Sequence, residues 1–332
     1  MNVNKIKKVV IIEAIVIIIL TAFLIERYVN NTCSSEYYQN GNGKIKLLSP
    51  RIYSGLLPAE EFLILNFEPL KKDVNEYITK NNINISIYVL NMRDGASFGI
   101  NEKEPIEALS LNKLPIAMII LEKVEQGKLS LDTKLPITKE DRDILSGTLY
   151  AQPINELTIK ELLRYMLQES DNTALWVLLK QVNLAELNRF TNYVGYYKNN
   201  MNYLESSDSF LVSAKTTSNL FISLYLSTVL KPENSELILS YLTNTTFDVK
   251  KYAKLPDDVI VSQKYGEFYI NNKNIFHSCG IMYIEDSRIF YCIMTDGLQQ
   301  EKARNTVGIL VNKIYNYAIK TKNIDGILSN ST

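Results

Sequence analysis

Glu107-Ala-Leu-Ser-Leu-Asn-Lys-Leu-Pro115, followed by an apolar run over residues 116–121, predicts a buried helix with two reactive side chains at its start. Ser110 and Lys113 are three residues apart, so they share one helical face with about 5–6 Å between Cβ atoms. The positive end of a helix favours an anion that develops beside such a serine. A buried lysine with a lowered pKa can accept the serine proton. The alternative is that Ser110 only caps the helix and Lys113 is a solvated residue of its first turn.

The composition excludes several classes of function. Lysine and arginine total 36 and aspartate and glutamate total 36, so the chain lacks the basic excess that indicates nucleic-acid binding. His277 is the only histidine, which excludes a zinc site built on several histidines. No G-x-S-x-G motif accompanies it, so a Ser-His-Asp triad has no support, and we interpret His277 as a structural strand residue. We therefore expect neither a metal nor a cofactor.

The three cysteines show no C-x-x-C motif and no disulfide framework. Cys279 and Cys292 lie in apolar, strand-like runs, where the simplest interpretation is that each is a small buried hydrophobic residue. Cys33 follows the apolar N-terminal segment, and we assign it no role.

The N-terminal region predicts a membrane anchor. Three lysines precede an almost unbroken apolar run from Val9 to Ile25, whose summed insertion energy outweighs its one acidic residue. A cleavable signal peptide is the alternative, but no A-x-A-like site follows, which favours a retained anchor. The lysines place residues 1–8 in the cytoplasm, residues 9–27 in the membrane, a polar linker at 28–57 and a catalytic domain at 58–325 outside the cell.

The periodicity of the remaining chain predicts an α/β (α+β) domain. One antiparallel sheet is formed by both chain ends and flanked by helices, with an all-helical insertion at about residues 128–250. The first strand alternates apolar and polar residues, which predicts one covered face. The predicted elements outside the insertion are a helix over 59–79, strands over 83–89, 96–100, 259–269, 275–284 and 288–295, and an amphipathic helix over 301–320.

Three short motifs follow in order: Ser110-Leu-Asn-Lys113, Ser170-Asp-Asn172 and Lys264-Tyr-Gly266. This set resembles the penicillin-recognising serine enzymes, in particular the class A β-lactamases, whose motifs are S-x-x-K, S-D-N and K-T-G. The resemblance covers roughly residues 80–320 and implies a β-lactamase/transpeptidase-like fold. It also implies a serine hydrolase or acyltransferase that acts on β-lactams or on D-Ala-D-Ala-like peptidoglycan amides. With the N-terminal anchor, the expected protein is membrane-anchored and its enzyme domain extracytoplasmic.

The resemblance implies three catalytic residues. Ser110 would be the acylated nucleophile, and Lys113 its base or proton relay. Ser170 would pass a proton to the leaving nitrogen. From the residues alone, Ser170-Asp-Asn172 could instead be only a helix cap.

The resemblance also implies the substrate-binding residues. Asn172 would hold the amide side chain of the substrate, and Lys264 would attract its carboxylate and support Ser170. Gly266 belongs to the third motif, and the N–H groups of Ser110 and Glu267 would form the oxyanion hole. The alternative for the third motif is a strand edge with a bulge.

Two departures from the family pattern predict slow turnover. Tyr265 replaces the usual threonine or serine, which removes a small hydroxyl that would bind the substrate carboxylate. Between Asn183 and Ser213 the only glutamates are Glu186 and Glu205, and neither lies in the E-x-x-L-N context of the family's water-activating glutamate. We expect measurable acylation and poor hydrolysis by a monomer. The alternative function is a non-turnover penicillin-binding sensor or a catalytically weak binding module.

Overall fold

The computed structural model describes residues 66–197, 210–270, 273–284 and 287–329. The strands in these ranges are β1 (Ile85–Asn91), β2 (Ser97–Ile100), β3 (Ile106–Glu107), β4 (Lys134–Pro136), β5 (Glu156–Thr158), β6 (Leu211–Val212), β7 (Ile260–Ile270), β8 (Lys273–Ile284) and β9 (Ser287–Asp296). The helices are α1 (Glu68–Asn81), α2 (Lys113–Glu125), α3 (Ile159–Gln168), α4 (Asn172–Leu179), α5 (Leu184–Val194), α6 (Ala214–Tyr225), α7 (Pro232–Tyr241), α8 (Val249–Ala253) and α9 (Gln300–Ser329).

The central sheet contains strands from both ends of the domain, as the sequence predicts. Its five strands are all antiparallel and lie in the order β2-β1-β9-β8-β7. The prediction of one covered face for the first strand is wrong. Ile87 and Val89 pack in one core, whereas Tyr88 and Leu90 on the opposite face pack against the core of the helical insertion. Helices therefore cover both faces of the sheet.

The last helix covers one face of the sheet with the stripe that its sequence predicts. Val307, Leu310, Val311 and Ile314 have the spacing of one helical face, and each is at most 1% exposed. Burial of each such side chain contributes roughly 1.5–3 kcal/mol. The helix continues to Ser329, beyond the predicted end at Lys320.

Helix α2 is the buried centre of the other core. All residues from Lys113 to Leu121 are buried, which explains why the helix is apolar on every side rather than amphipathic. A 3-10 turn over Leu109–Asn112 precedes it. Pro115 lies in the first turn, where its missing N–H leaves no intrahelical bond unmade.

The insertion is mainly helical, but it contains the short strands β4, β5 and β6. Strand β6 pairs with β3, which joins the segment before Ser110 to the segment before α6. Ser213 caps α6, because its hydroxyl accepts a hydrogen bond from the Thr216 amide.

Two cysteines form a disulfide bond, which corrects the interpretation of Cys279 and Cys292 as unpaired residues. They lie opposite each other on β8 and β9 and are both fully buried. The pairing follows from the register of the two strands, and the spacing of 13 residues along the chain gives no motif for it.

Several predictions concern residues outside the described ranges. These are the membrane anchor, the linker, Cys33 and Glu205. Among the helices that the structure describes, none combines the length and apolar character that a membrane span requires.

Candidate active site

Ser110 lies in the 3-10 turn that leads into α2, with strand β7 against it. Gly266 of β7 is so close that a Cβ atom there would be 3.1 Å from the Ser110 amide nitrogen and 3.0 Å from Leu109 Cβ. Leu109, directly before the serine, has a φ of +49°, a left-handed conformation that costs a non-glycine residue of order 1–3 kcal/mol. The strained turn and the glycine together bring the serine amide next to the strand edge.

Lys113 joins the first two motifs. Its Nζ donates hydrogen bonds to Ser110 Oγ at 2.9 Å and to Asn172 Oδ1 at 2.7 Å. Ser170 Oγ lies 3.4 Å from the same nitrogen. The side chain is 2% exposed, which excludes the alternative of a solvated first-turn lysine.

The electrostatic environment makes Lys113 a base near neutral pH. Burial lowers its pKa from 10.5 to about 7, against the opposing negative charges of Asp171 and Asp143. A substantial fraction of the lysine is therefore neutral at pH 7 and able to accept a proton from the serine that it contacts.

The three residues of the second motif have different positions: one caps a helix, and the other two lie at the site. Asp171 caps α4, because its Oδ1 accepts a hydrogen bond from the Ala174 amide at 2.8 Å and its Oδ2 one from the Leu149 amide at 2.9 Å. Ser170 has a φ of +56°, and its side chain and that of Asn172 both contact Lys113. The helix-cap alternative thus applies to Asp171 and not to its two neighbours.

Lys264 of the third motif is fully buried near Lys113. Its Nζ donates a hydrogen bond to the backbone oxygen of Tyr265 at 3.0 Å and lies 4.6 Å from the centroid of the Tyr265 ring. Burial and the charge of Lys113 hold the pKa of Lys264 well below its ordinary value, against the attraction of Glu267. The structure thus brings Lys264 to the site, while support of Ser170 by this lysine stays a prediction.

The carboxylate of Glu267 contacts the last helix. Its Oε2 lies 2.8 Å from a guanidinium nitrogen of Arg304 and accepts a hydrogen bond from Gln300 Nε2 at 3.3 Å. The contribution predicted for Glu267 at the site is its backbone N–H, which does not depend on the side chain.

Tyr265 packs into the core between the sheet and the helices α8 and α9. Its ring centroid is 5.8 Å from that of Phe247, and its hydroxyl donates a hydrogen bond to Thr246 Oγ1 at 3.2 Å. Burial raises the pKa of the phenol, so it is protonated at neutral pH. Tyr265 stands where the family usually has threonine or serine, and its hydroxyl is hydrogen-bonded to Thr246.

The carboxylate of Glu186 is engaged at the start of α5. It completes the capping box of α5 with Asn183, and its Oε1 forms an ion pair with Lys123 Nζ at 2.9 Å. Among the described residues, it is Lys113 that donates a hydrogen bond to Ser110 Oγ.

His277 is a buried strand residue, as the sequence predicts, but it also has a positioning contact that the sequence did not indicate. Burial lowers its pKa to about 4, so the ring is neutral at pH 7. Its Nε2 lies 2.7 Å from the backbone oxygen of Glu107 and is the donor there. This bond ties β8 to the segment three residues before Ser110.

The sequence also gave no indication of a contact between Asp143 and Trp176, because neither residue belongs to a motif. Asp143 accepts a hydrogen bond from Trp176 Nε1 at 3.0 Å, and a side-chain hydrogen bond links it to Asn172. Asp143 and Trp176 are 33 positions apart along the chain, so no sequence spacing indicates the pair.

These residues define a class of protein. Ser110 is hydrogen-bonded to a buried lysine at the start of a central helix, beside a five-stranded antiparallel sheet. Serine acyl-transfer enzymes with the S-x-x-K motif have this arrangement. Residues 69–318 match the model of the β-lactamase enzyme family, so the chain belongs to that family. It is a serine hydrolase of the β-lactamase kind.

Individual relatives agree with this assignment. The chain is 26% identical to β-lactamase VEB-1 of Pseudomonas aeruginosa over 218 residues, which are 60% of this chain and 72% of VEB-1. Its fold is similar to that of a PBP-A variant solved as an acyl-enzyme complex with penicillin G, with a TM-score of 0.68, 20% identity and coverage of 76% of this chain and 97% of that one. It is likewise similar to the TLA-1 extended-spectrum β-lactamase, with a TM-score of 0.69, 18% identity and coverage of 77% and 100%.

Proposed function

We propose that this chain is a membrane-anchored, extracytoplasmic enzyme that is acylated at Ser110 by β-lactams or by D-Ala-D-Ala-like amides of the cell wall. The observation that carries the proposal is the 2.9 Å hydrogen bond between Lys113 Nζ and Ser110 Oγ, made by a lysine whose pKa is lowered to about 7. A neutral lysine in that position can take up the serine proton as the nucleophile attacks.

The acylation step uses three side chains. Ser110 Oγ attacks the carbonyl carbon of the substrate, and Lys113 accepts the proton of the hydroxyl. The oxyanion that forms is stabilised by the N–H groups of Ser110 and Glu267, each typically worth about 10²–10³ in rate. Ser170, whose Oγ lies 3.4 Å from Lys113 Nζ, passes its proton to the leaving nitrogen and receives in return the proton that Lys113 took from Ser110. The C–N bond breaks, and the acyl group remains as an ester on Ser110.

The substrate is held from two sides of the serine. Asn172 binds the amide of the acyl side chain, and Lys264 attracts the carboxylate. The acyl-enzyme complex of the PBP-A variant with penicillin G supports this chemistry for a similar fold. Because the carboxylate of Glu186 is engaged by Lys123, we propose that release of the acyl group is slower than acylation. Because the hydroxyl of Tyr265 is engaged by Thr246, we propose that the substrate carboxylate is bound weakly.

The second candidate function is a membrane-held β-lactam sensor that keeps its acyl group. It is favoured by the absence of an E-x-x-L-N sequence between Asn183 and Ser213. An enzyme and a sensor share the acylation step and differ in the lifetime of the ester.

Intact-protein mass spectrometry with benzylpenicillin tests the proposal. An enzyme gains and then loses the acyl mass, and a sensor gains and keeps it. The Ser110→Ala variant should gain none, whereas the control Ser130→Ala, at an exposed serine, should be labelled like the wild type. A wild type that never gains the mass contradicts both functions.

The location is tested separately. Protease added to intact cells should remove the domain after residue 57 if the N-terminal segment is an anchor. Protection of the domain from protease would contradict the proposed topology.

A further inference from the structure

Asp143 lies beside the proposed substrate amide site, in the loop between β4 and the 3-10 turn over Leu149–Ala151. The side chain is half-buried, and its three described hydrogen bonds come from neutral donors. Its Oδ1 accepts from the Leu145 amide at 2.7 Å and its Oδ2 from Trp176 Nε1 at 3.0 Å, and the third partner is Asn172.

The orientation of the Asn172 amide follows from its two partners. Its Oδ1 accepts the hydrogen bond from Lys113, so the group that faces Asp143 is the Nδ2 donor. Hydrogen bonds therefore run without interruption from Ser110 through Lys113 and Asn172 to Asp143. The carboxylate is thus fixed at the side of the serine where Asn172 binds the substrate amide.

Asp143 keeps its negative charge in this position. Partial burial works to raise the pKa of its carboxyl, but hydrogen bonds from Trp176, Leu145 and Asn172, with the charge of Lys113, hold that pKa below its ordinary value. Lys180, directly after α4, forms its ion pair with Asp141 at 2.6 Å.

Trp176 adds an apolar surface beside this charge. It lies four residues after Asn172 on α4, so the two side chains share one helical face. The indole is 43% exposed although its N–H is bound to Asp143. A partly exposed aromatic ring that touches a fixed carboxylate fits a ligand group that is apolar and positively charged.

We propose that Asp143 and Trp176 form a subsite for the acyl side chain that selects substrates with an ammonium group next to an apolar group. The inference rests on the proposed function, because it concerns the same acylation of Ser110. The subsite attracts the ammonium by its charge and repels a carboxylate at the same place.

Three penicillins test the subsite because they share a nucleus and a phenyl ring and differ at one carbon. Ampicillin carries an ammonium group there at mildly acid pH, benzylpenicillin a hydrogen and carbenicillin a carboxylate. Acylation rates measured by quenched-flow mass spectrometry should fall in that order. A charge contact in a partly exposed cleft is worth about a threefold to tenfold change in rate.

The variant Asp143→Asn should lower the ratio of the ampicillin rate to the carbenicillin rate by about threefold to tenfold. A ratio is used because any loss of positioning through Asn172 slows both substrates. Asp132→Asn, at an exposed aspartate of the same insertion, is the charge-matched control and should leave the ratio unchanged. An unchanged ratio in Asp143→Asn, or an equal change in the control, overturns the subsite.

Added salt gives a second measurement on the wild type, which does not depend on folding of a variant. Salt screens a charge contact in an open cleft, so the ratio should fall as the salt concentration rises. A ratio that is independent of salt contradicts the inference. A wild type that forms adducts with none of the three penicillins contradicts the proposed function itself, and the subsite with it.

Discussion

Gly266 and Ser110 are in direct backbone contact, and a Cβ atom on Gly266 would lie only 3.1 Å from the serine amide nitrogen. This approach places strand β7 beside the 3-10 turn that leads into α2 and carries Ser110. A side chain at this position would therefore displace the turn by a few tenths of an ångström, although no left-handed φ calls for a glycine there.

Gly266→Ala should slow acylation by at least about tenfold, toward the 10²–10³ typical of losing an oxyanion donor. The added methyl would push Ser110 and Leu109 away from the strand. The rate of adduct formation with benzylpenicillin measures the effect, and thermal unfolding shows whether the variant is folded. Wild-type acylation by a folded Gly266→Ala variant would contradict the close contact.

Acylation should rise with pH through about 7 and then reach a plateau, because only neutral Lys113 accepts the serine proton. The sign follows from the lowered pKa: below about 7 the lysine is charged, and above it the base form dominates. Lys113→Ala should cut the rate by about 10²–10⁴ and remove this pH dependence. Stopped-flow rates across neutral pH give the profile, and a loss under about tenfold would make Lys113 an ordinary helix residue.

Tyr265→Thr should acylate faster than the wild type with carboxylate-bearing β-lactams, because it restores a small hydroxyl in the third motif. The same change removes a ring that packs on Phe247, so the unfolding temperature should fall. Tyr265→Phe is the control that keeps the ring and removes the hydroxyl. An acylation rate for Tyr265→Thr no higher than that of the wild type would show that position 265 does not limit carboxylate recognition.

A chromogenic cephalosporin should give a burst followed by a slow phase. The burst reports acylation of Ser110, and the slow phase reports release of an acyl group without an efficient water-activating carboxylate. The burst amplitude should equal the enzyme concentration. Rapid linear turnover from the first milliseconds would reveal a deacylating base, with Glu205 the first residue to substitute.

The sequence could indicate candidate site residues because each motif is local. Ser110 and Lys113 are held together by one helical turn, and Ser170 and Asn172 by the start of another. The periodicity of apolar residues along the chain predicted the sheet and the helical insertion.

Features that depend on two distant segments could not be predicted. The disulfide depends on the register that places Cys279 opposite Cys292, and the periodicity of a single strand does not contain that register. The hydrogen bond from His277 to Glu107 spans 170 residues. The face of β1 that carries Tyr88 and Leu90 is covered because the helical insertion packs against it. The sequence pattern of β1 does not specify where the insertion packs.

The most direct test of the central claim is to locate the covalent adduct. Wild-type protein is treated with benzylpenicillin and digested, and the modified peptide is sequenced by tandem mass spectrometry. We predict that the penicilloyl mass lies on Ser110, in the peptide that also contains Lys113, and that it is absent from Ser110→Ala. An adduct on another residue, or its persistence in Ser110→Ala, would contradict the assignment of Ser110 as the nucleophile.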